Sequence, residues 1–117
     1  MKLLLLINDA PYGSEKAYNA LRIANQTAKA HPKTAVVIFL MADAVSCAIK
    51  NQQTPNGHYN LERMLQLSAS KGAKIKLCGS CMDARGLQQE MCIDAAERST
   101  MPELTQLIHD SDKVLTF

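Results

Sequence analysis

The stretch LLLLI, residues 3–7, is a continuous apolar run with no polar alternation. Such a run predicts a β-strand covered on both faces, as the strands of parallel sheets are. TAVVIFLM at 34–41 is a second run of this kind, and AKIKL at 73–77 is the predicted third strand. Shorter strands are predicted within 94–99 and at KVLTF, residues 113–117.

Helical spacing and capping residues occupy the segments between these strands. The predicted helices, each with its N-cap residue, are 14–30 (Ser14), 43–49 (Asp43), 60–70 (Asn60), 80–85 (Ser80) and 100–110 (Thr100, in a capping box with Glu103). Strands that alternate with helices pair in parallel through right-handed crossovers. The pattern predicts one domain over residues 1–117 of the α/β class, a three-layer α/β/α sandwich with a mostly parallel five-stranded sheet.

Composition narrows the possible function classes. Apolar residues make up 47% of the 117 residues, aromatic residues only 4%, and the net charge is +2. Few aromatic residues and no basic run argue against direct nucleic-acid binding. The apolar run after Lys2 is too short for a signal peptide, and no stretch approaches the ~20 apolar residues of a membrane span. We therefore expect a cytoplasmic protein without a disulfide framework, binding neither nucleic acid nor membrane.

The loops after the first three strands are the expected place for a functional site, because ligands of parallel sheets bind outside the carboxyl ends of the strands. These loops are residues 8–13, 41–43 and 78–80. The candidate pocket residues are Asn8, Asp9, Tyr12, Asp43, Gly79 and Ser80 at this edge, and His58 in a polar loop over 51–59. Simpler interpretations stay open, since Asp43 also fits a helix cap and His58 a solvent-exposed loop.

Two cysteines, Cys78 and Cys81, lie at this edge within KIKLCGSCMDARGL, residues 74–87. Structural zinc needs four ligands, one pair supplies two, and the other Cys and His residues lack zinc-finger spacing, so no metal or cofactor is expected. Placement favours a thiolate, because a helix start at Ser80 attracts negative charge and Arg85 lies one helical turn after Cys81. Packing of both cysteines as small buried residues remains an alternative.

Several stretches resemble the DsrE/DsrF-like family, most closely its YchN-like branch. They are NDAPYGSE (8–15), FLMADAV (39–45), GHYNLERML (57–65), KLCGSCMDARGL (76–87) and DKVLTF (112–117). The resemblance implies a parallel five-stranded α/β/α fold and a homo-oligomer, which in this branch is a homohexamer. It also implies a carrier cysteine that takes up sulfur as a persulfide. Cys78 matches that cysteine, seven residues before the pair Arg85-Gly86.

Three functional hypotheses follow for this chain. As a sulfur carrier, it would form a persulfide on Cys78, with Cys81 assisting or resolving it, Arg85 stabilising the anion, and a sulfur donor or acceptor protein as partner. As a thiol-disulfide redox protein, it would need both cysteines. As an oligomeric binding protein with a pocket at the sheet edge, it would need neither.

Overall fold

The computed structural model describes residues 1–117 and confirms the predicted α/β/α architecture. All strand pairs are parallel, and the sheet order is β4-β3-β2-β1-β5. The strands are β1 (Lys2–Ile7), β2 (Ala35–Leu40), β3 (Lys74–Cys78), β4 (Ala96–Ser99) and β5 (Lys113–Thr116). The apolar run of β1 is covered on both faces, as its pattern predicts, since Leu4 and Leu5 are both fully buried.

Four α-helices and two 3-10 helices connect the strands. They are α1 (Lys16–Ala30), a 3-10 helix (Ala42–Ala48), α2 (Leu61–Ser70), α3 (Gly79–Ala84), a short 3-10 helix (Gln89–Met91) and α4 (Met101–Asp110). The small residues of α1 lie against the core, with Ala17, Ala20 and Ala24 all buried. None of these helices is both long enough and apolar enough to cross a membrane.

The two faces of the sheet are covered unequally. Ile75 and its neighbours in register, Ile38 and Leu5, are buried on the face that packs against α1 and α2. Lys76 points to the opposite face, where its ammonium pairs with Glu103 of α4 at 3.4 Å. Strand β5 lies at the thinly covered end of the sheet, and every one of its residues is exposed.

Two predicted helix caps are confirmed. The side chain of Asn60 accepts a hydrogen bond from the backbone N–H of Arg63 at 3.1 Å, at the start of α2. Thr100 accepts from the backbone N–H of Glu103 at 3.3 Å, at the start of α4. The Glu103 carboxylate does not close the capping box, because it accepts from the hydroxyl of Ser99 instead.

Three predicted caps are wrong, and in each the polar side chain has another partner. Helix α1 begins at Lys16 behind Glu15, while the Ser14 hydroxyl donates to Asp9 at 2.6 Å. Asp43 lies inside a 3-10 helix that begins at Ala42, where it binds Arg85. Helix α3 begins at Gly79 behind Cys78, so Ser80 is inside the first turn.

Candidate active site

The two cysteines meet where β3 passes into α3, at the carboxyl edge of the sheet. Cys78 is the last residue of β3 and the N-cap residue of α3, and its φ of −62° and ψ of 113° turn the chain sharply. Its side chain is nearly buried, while that of Cys81 is partly exposed. The Cys78 sulfur lies 3.4 Å from the Ser80 hydroxyl oxygen. The predicted placement of the pair at this edge is therefore what the structure shows.

The surroundings of Cys78 favour its thiolate. Burial raises the pKa of Cys78, but hydrogen bonds from the Cys81 thiol, the Ser80 hydroxyl and the backbone N–H groups of both residues outweigh it and lower the pKa below its usual value. Burial, together with the hydrogen bond to Cys78, raises the pKa of Cys81. The two shifts run in opposite directions and favour Cys78 as the thiolate of the pair.

Cys81 is held in turn by an unusual backbone residue. The N–H of Ala42 donates to the Cys81 sulfur at 3.2 Å. Ala42 has a φ of 51°, a left-handed conformation that costs a residue with a Cβ roughly 1–2 kcal/mol. This conformation, directly after β2, aims the N–H at the thiol. The strained backbone of Ala42 therefore lies at the residue that orients Cys81.

Arg85 lies beside the pair but is bound to other groups. Its Nη1 donates to the Cys81 carbonyl at 3.1 Å, and its Nε donates to Asp43 at 2.9 Å. The predicted proximity to Cys81 is correct, and the Arg85 charge opposes the rise in the pKa of that thiol. Asp43 reaches the site edge through this ion pair, which fastens the end of α3 to the 3-10 helix.

A second arginine, Arg98 of β4, was not expected from the sequence. Its Nη1 and Nη2 donate to the two carboxylate oxygens of Asp83 at 2.8 and 2.7 Å. The same guanidinium lies over Gly79, where an added Cβ would stand 2.8 Å from Nε. No local spacing signals the contact, because Arg98 lies on the neighbouring strand, while Arg85 is one turn from Cys81 in the sequence.

The other predicted pocket residues are occupied elsewhere. Asn8 bonds the Phe117 carbonyl through its backbone N–H at 2.8 Å. Asp9 accepts from Ser14, and the Tyr12 hydroxyl donates to Gln52 and accepts from the backbone N–H of Leu61. His58 stacks on Tyr59, with ring centroids 4.5 Å apart. None of these hydrogen bonds or ring contacts reaches Cys78 or Cys81. These side chains fix the loops of the sheet edge around the cysteine site.

The remaining cysteines and a surface groove lie away from this site. Cys47 and Cys92 are buried, and burial raises the pKa of both thiols, that of Cys47 to about 12. A groove of about 1040 Å³ runs between α1 and α2, lined among others by Ile23 and Leu67, and contains neither member of the pair. We take the cysteine pair as the candidate site because the hydrogen bonds described above meet there.

The fold and the cysteine pair define a class of small α/β proteins with two cysteines at the carboxyl edge of a parallel sheet. The chain belongs to the DsrE/DsrF-like family, whose model matches residues 1–117. Membership supports a protein of the sulfur-relay type.

Individual relatives agree with this assignment over the full length. The Escherichia coli protein YchN is 38% identical over 116 residues, covering 99% of this chain and 98% of YchN. The uncharacterized protein MJ0989 of Methanocaldococcus jannaschii is 41% identical over 117 residues, covering 100% of both chains. The crystal structure of E. coli YchN superposes with a TM-score of 0.93, covering 100% of this chain and 99% of that one. The Methanobacterium thermoautotrophicum protein MTH1491, at 9% identity and a TM-score of 0.76, shares the fold.

Proposed function

We propose that the protein is a cytoplasmic sulfur carrier that takes up a sulfane sulfur on Cys78 as a persulfide and passes it to an acceptor. One observation carries the proposal: Cys78 ends β3 as the N-cap residue of α3, with the Ser80 hydroxyl 3.4 Å from its sulfur, and the donors of this turn lower the pKa of the thiol. A thiolate is the species that attacks sulfane sulfur. The same donors would stabilise a persulfide, whose terminal sulfur carries the negative charge.

The loading step balances with a protein persulfide as donor. The Cys78 thiolate attacks the outer sulfur of the donor persulfide, a new S–S bond forms on Cys78, and the donor S–S bond breaks. The donor cysteine leaves as a thiolate and takes up a proton. Transfer onward is the same exchange with an acceptor thiolate as the nucleophile, so no external oxidant or reductant is needed.

Cys81 and Arg85 have supporting roles in this proposal. Cys81 donates its proton to the Cys78 sulfur and is held by Ala42, so it assists the anion during loading. It could also attack the inner sulfur of a Cys78 persulfide, which would release hydrosulfide and leave a Cys78–Cys81 disulfide. Arg85 binds the carbonyl of Cys81 and therefore fixes the helix that carries it.

The test is intact-protein mass spectrometry after incubation with a cysteine desulfurase and cysteine. The wild type, Cys78→Ser and Cys81→Ser are compared, with Cys92→Ser as a control that removes a buried thiol. We expect the wild type, Cys81→Ser and Cys92→Ser to gain the mass of one sulfur atom, reversibly with dithiothreitol. Cys78→Ser should gain none. Equal loading of Cys78→Ser would contradict the proposal.

A second candidate function, thiol-disulfide exchange, is favoured by the position of the two thiols, one on the N-cap residue and the other in the first turn of α3. Its signature in the same experiment is a loss of two hydrogens in the oxidised wild type, absent from both Cys78→Ser and Cys81→Ser. Wild type that forms this disulfide and gains no sulfur from the desulfurase would replace the carrier proposal with the redox one.

A further inference from the structure

We propose that Arg98 is a positioning residue for the Cys78 anion, held over Gly79 by Asp83 so that its cation faces the junction of β3 and α3. The inference rests on the proposed function, because it assigns Arg98 a part in stabilising the thiolate and the persulfide of Cys78. It adds a charged residue of β4 to a site otherwise built from residues 78–85 and from Ala42 and Asp43 of the first 3-10 helix.

The position of Arg98 is fixed by strand pairing. In the register between β3 and β4, Arg98 lies beside Leu77, and Ser99 lies beside Cys78. The backbone of Arg98 therefore lies beside the residue that precedes Cys78. From there its side chain extends along the sheet edge toward α3. Because both strands belong to the same sheet, strand pairing fixes the backbone of Arg98 relative to that of Cys78. One further contact is then enough to fix the position of the guanidinium.

Asp83 provides that anchor. Its two carboxylate oxygens accept from both terminal nitrogens of Arg98, a bidentate arrangement that fixes the plane of the guanidinium as well as its position. The hydrogen bond from Arg98 lowers the pKa of the Asp83 carboxyl, so the pair stays ionised well into acid. Asp83 lies in α3, and the ion pair therefore ties the helix of the cysteines to β4.

Gly79 shows that the approach of Arg98 constrains the residue next to Cys78. A Cβ at this position would lie 2.8 Å from Nε and 2.9 Å from Cζ of Arg98, closer than real Cβ atoms stand to other heavy atoms. The backbone of Gly79 does not have the positive φ of Gly57, Gly72 and Gly86. A side chain at this position would therefore have to displace the guanidinium, and conformational freedom is not what glycine supplies here.

The charges around Cys78 make this cation distinctive. On α3 the neighbouring charges are Asp83 and Arg85, and Arg85 is already paired with Asp43 of the 3-10 helix. Toward α4, Lys76 is paired with Glu97 and Glu103. Arg98, which is paired with Asp83, is the cation whose guanidinium approaches Gly79, the residue next to Cys78.

The experiment measures the titration of Cys78, as the rate of its alkylation by iodoacetamide against pH, with the labelled peptide identified by mass spectrometry. Alkylation needs no sulfur donor, so it measures the ionisation of Cys78 independently of sulfur loading. In Arg98→Gln we expect the titration midpoint to rise and the rate at pH 7 to fall about two- to fivefold, as for a partly screened charge. Arg98→Lys keeps the charge and should recover part of the effect.

Gly79→Ala is an independent test of the same contact, because the added Cβ displaces the Arg98 guanidinium but leaves the charge of Arg98 in the protein. We expect the midpoint to rise as in Arg98→Ala, and we expect the double variant Gly79→Ala/Arg98→Ala to shift no further than Arg98→Ala alone. Arg22→Gln is the matched control, since Arg22 binds Asn19 and Tyr18, outside the cysteine site. It should titrate as the wild type does.

Two results would overturn the inference. One is an unchanged Cys78 midpoint in Arg98→Gln or, should that variant not fold, in Gly79→Ala, with folding checked by circular dichroism. The other is full additivity of Gly79→Ala and Arg98→Ala. Failure of sulfur loading in the wild type, with the Cys78 titration still dependent on Arg98, would instead count against the proposed function and leave the positioning role of Arg98 supported.

Discussion

Cys78 and Cys92 are almost equally buried, with 5% and 1% of their surface exposed, yet their thiols are shifted in opposite directions. Burial raises the pKa of Cys92, and the attraction of Lys50 does not compensate. At Cys78 burial also acts to raise the pKa, but hydrogen-bond donors reverse the outcome. Hydrogen-bond donors to the sulfur, rather than solvent exposure, therefore determine which cysteine of this protein is the better nucleophile.

The sharpest test of this comparison is alkylation of the folded wild type by iodoacetamide near pH 7, read site by site with peptide mass spectrometry. Cys47, with a pKa of about 12, carries a thiolate fraction of about 10⁻⁵ at this pH. Cys78 should therefore react about a thousandfold faster or more.

The control is the same reaction in concentrated urea, where all four cysteines should react at similar rates. Labelling of Cys47 or Cys92 as fast as Cys78, in protein shown to be folded, would remove the contrast between the two environments.

A second test uses stability, because a shifted pKa is linked to folding. The Cys47 pKa is raised from 9.0 to about 12 in the folded protein. The contribution of the protonated thiol to the free energy of unfolding is therefore complete below pH 9 and is lost as the pH rises from 9 to about 12. The loss is about 1.4 kcal/mol per pH unit, or about 4 kcal/mol over the whole window.

Urea denaturation at pH 8 and pH 10.5 should therefore show wild type losing about 2 kcal/mol more than Cys47→Ala. The cavity left by alanine costs stability at both pH values and cancels in the difference. Parallel losses in the two proteins would mean that the buried Cys47 thiol does not resist ionisation as the structure indicates.

The smallest expected effect comes from removing one donor to Cys78. Ser80→Ala deletes the hydroxyl that lies 3.4 Å from the sulfur, while the backbone donors and Cys81 remain. We expect a higher titration midpoint and an alkylation rate at pH 7 lower by about two- to fivefold, as for one hydrogen bond of modest net value. Ser70→Ala, which removes a hydroxyl bound to the Leu67 carbonyl on α2, should leave the rate unchanged.

Most of the fold could be predicted, because the features that specify it are local in the sequence. The run at 3–7 and the run at 34–41 are strands because continuous apolar segments are stable only under cover on both faces. Asn60 and Thr100 cap their helices because their side-chain oxygens remain free to accept from the first turn; the Asn60 amide nitrogen donates to the Gln52 carbonyl without disturbing the cap. Ser14, Asp43 and Ser80 carry the same local signal, but other side chains bind them, and this competition is invisible in the sequence.

The candidate site could be located from the sequence but not completed. Strand order and loop positions place Cys78 and Cys81 at the carboxyl edge, and helical spacing places Arg85 near them. The contact of Arg98 with Gly79 depends on which strand lies beside β3, and the N–H of Ala42 depends on a left-handed alanine that has no sequence signature. Both are products of tertiary structure.

The pairing of β1 with β5 has a consequence for how the molecule is made. The N–H of Lys2 donates to Asp112, and Leu3 pairs with Lys113. Strands β1 and β5 are therefore neighbours in the sheet although they are far apart in the sequence. Contacts of such long sequence separation close slowly. During translation, β1 to β3 and the cysteine pair can assemble while one side of β1 still lacks its partner. A nascent chain at that stage presents an open strand edge, so the interval before β5 has formed is the one in which a chaperone has most to protect.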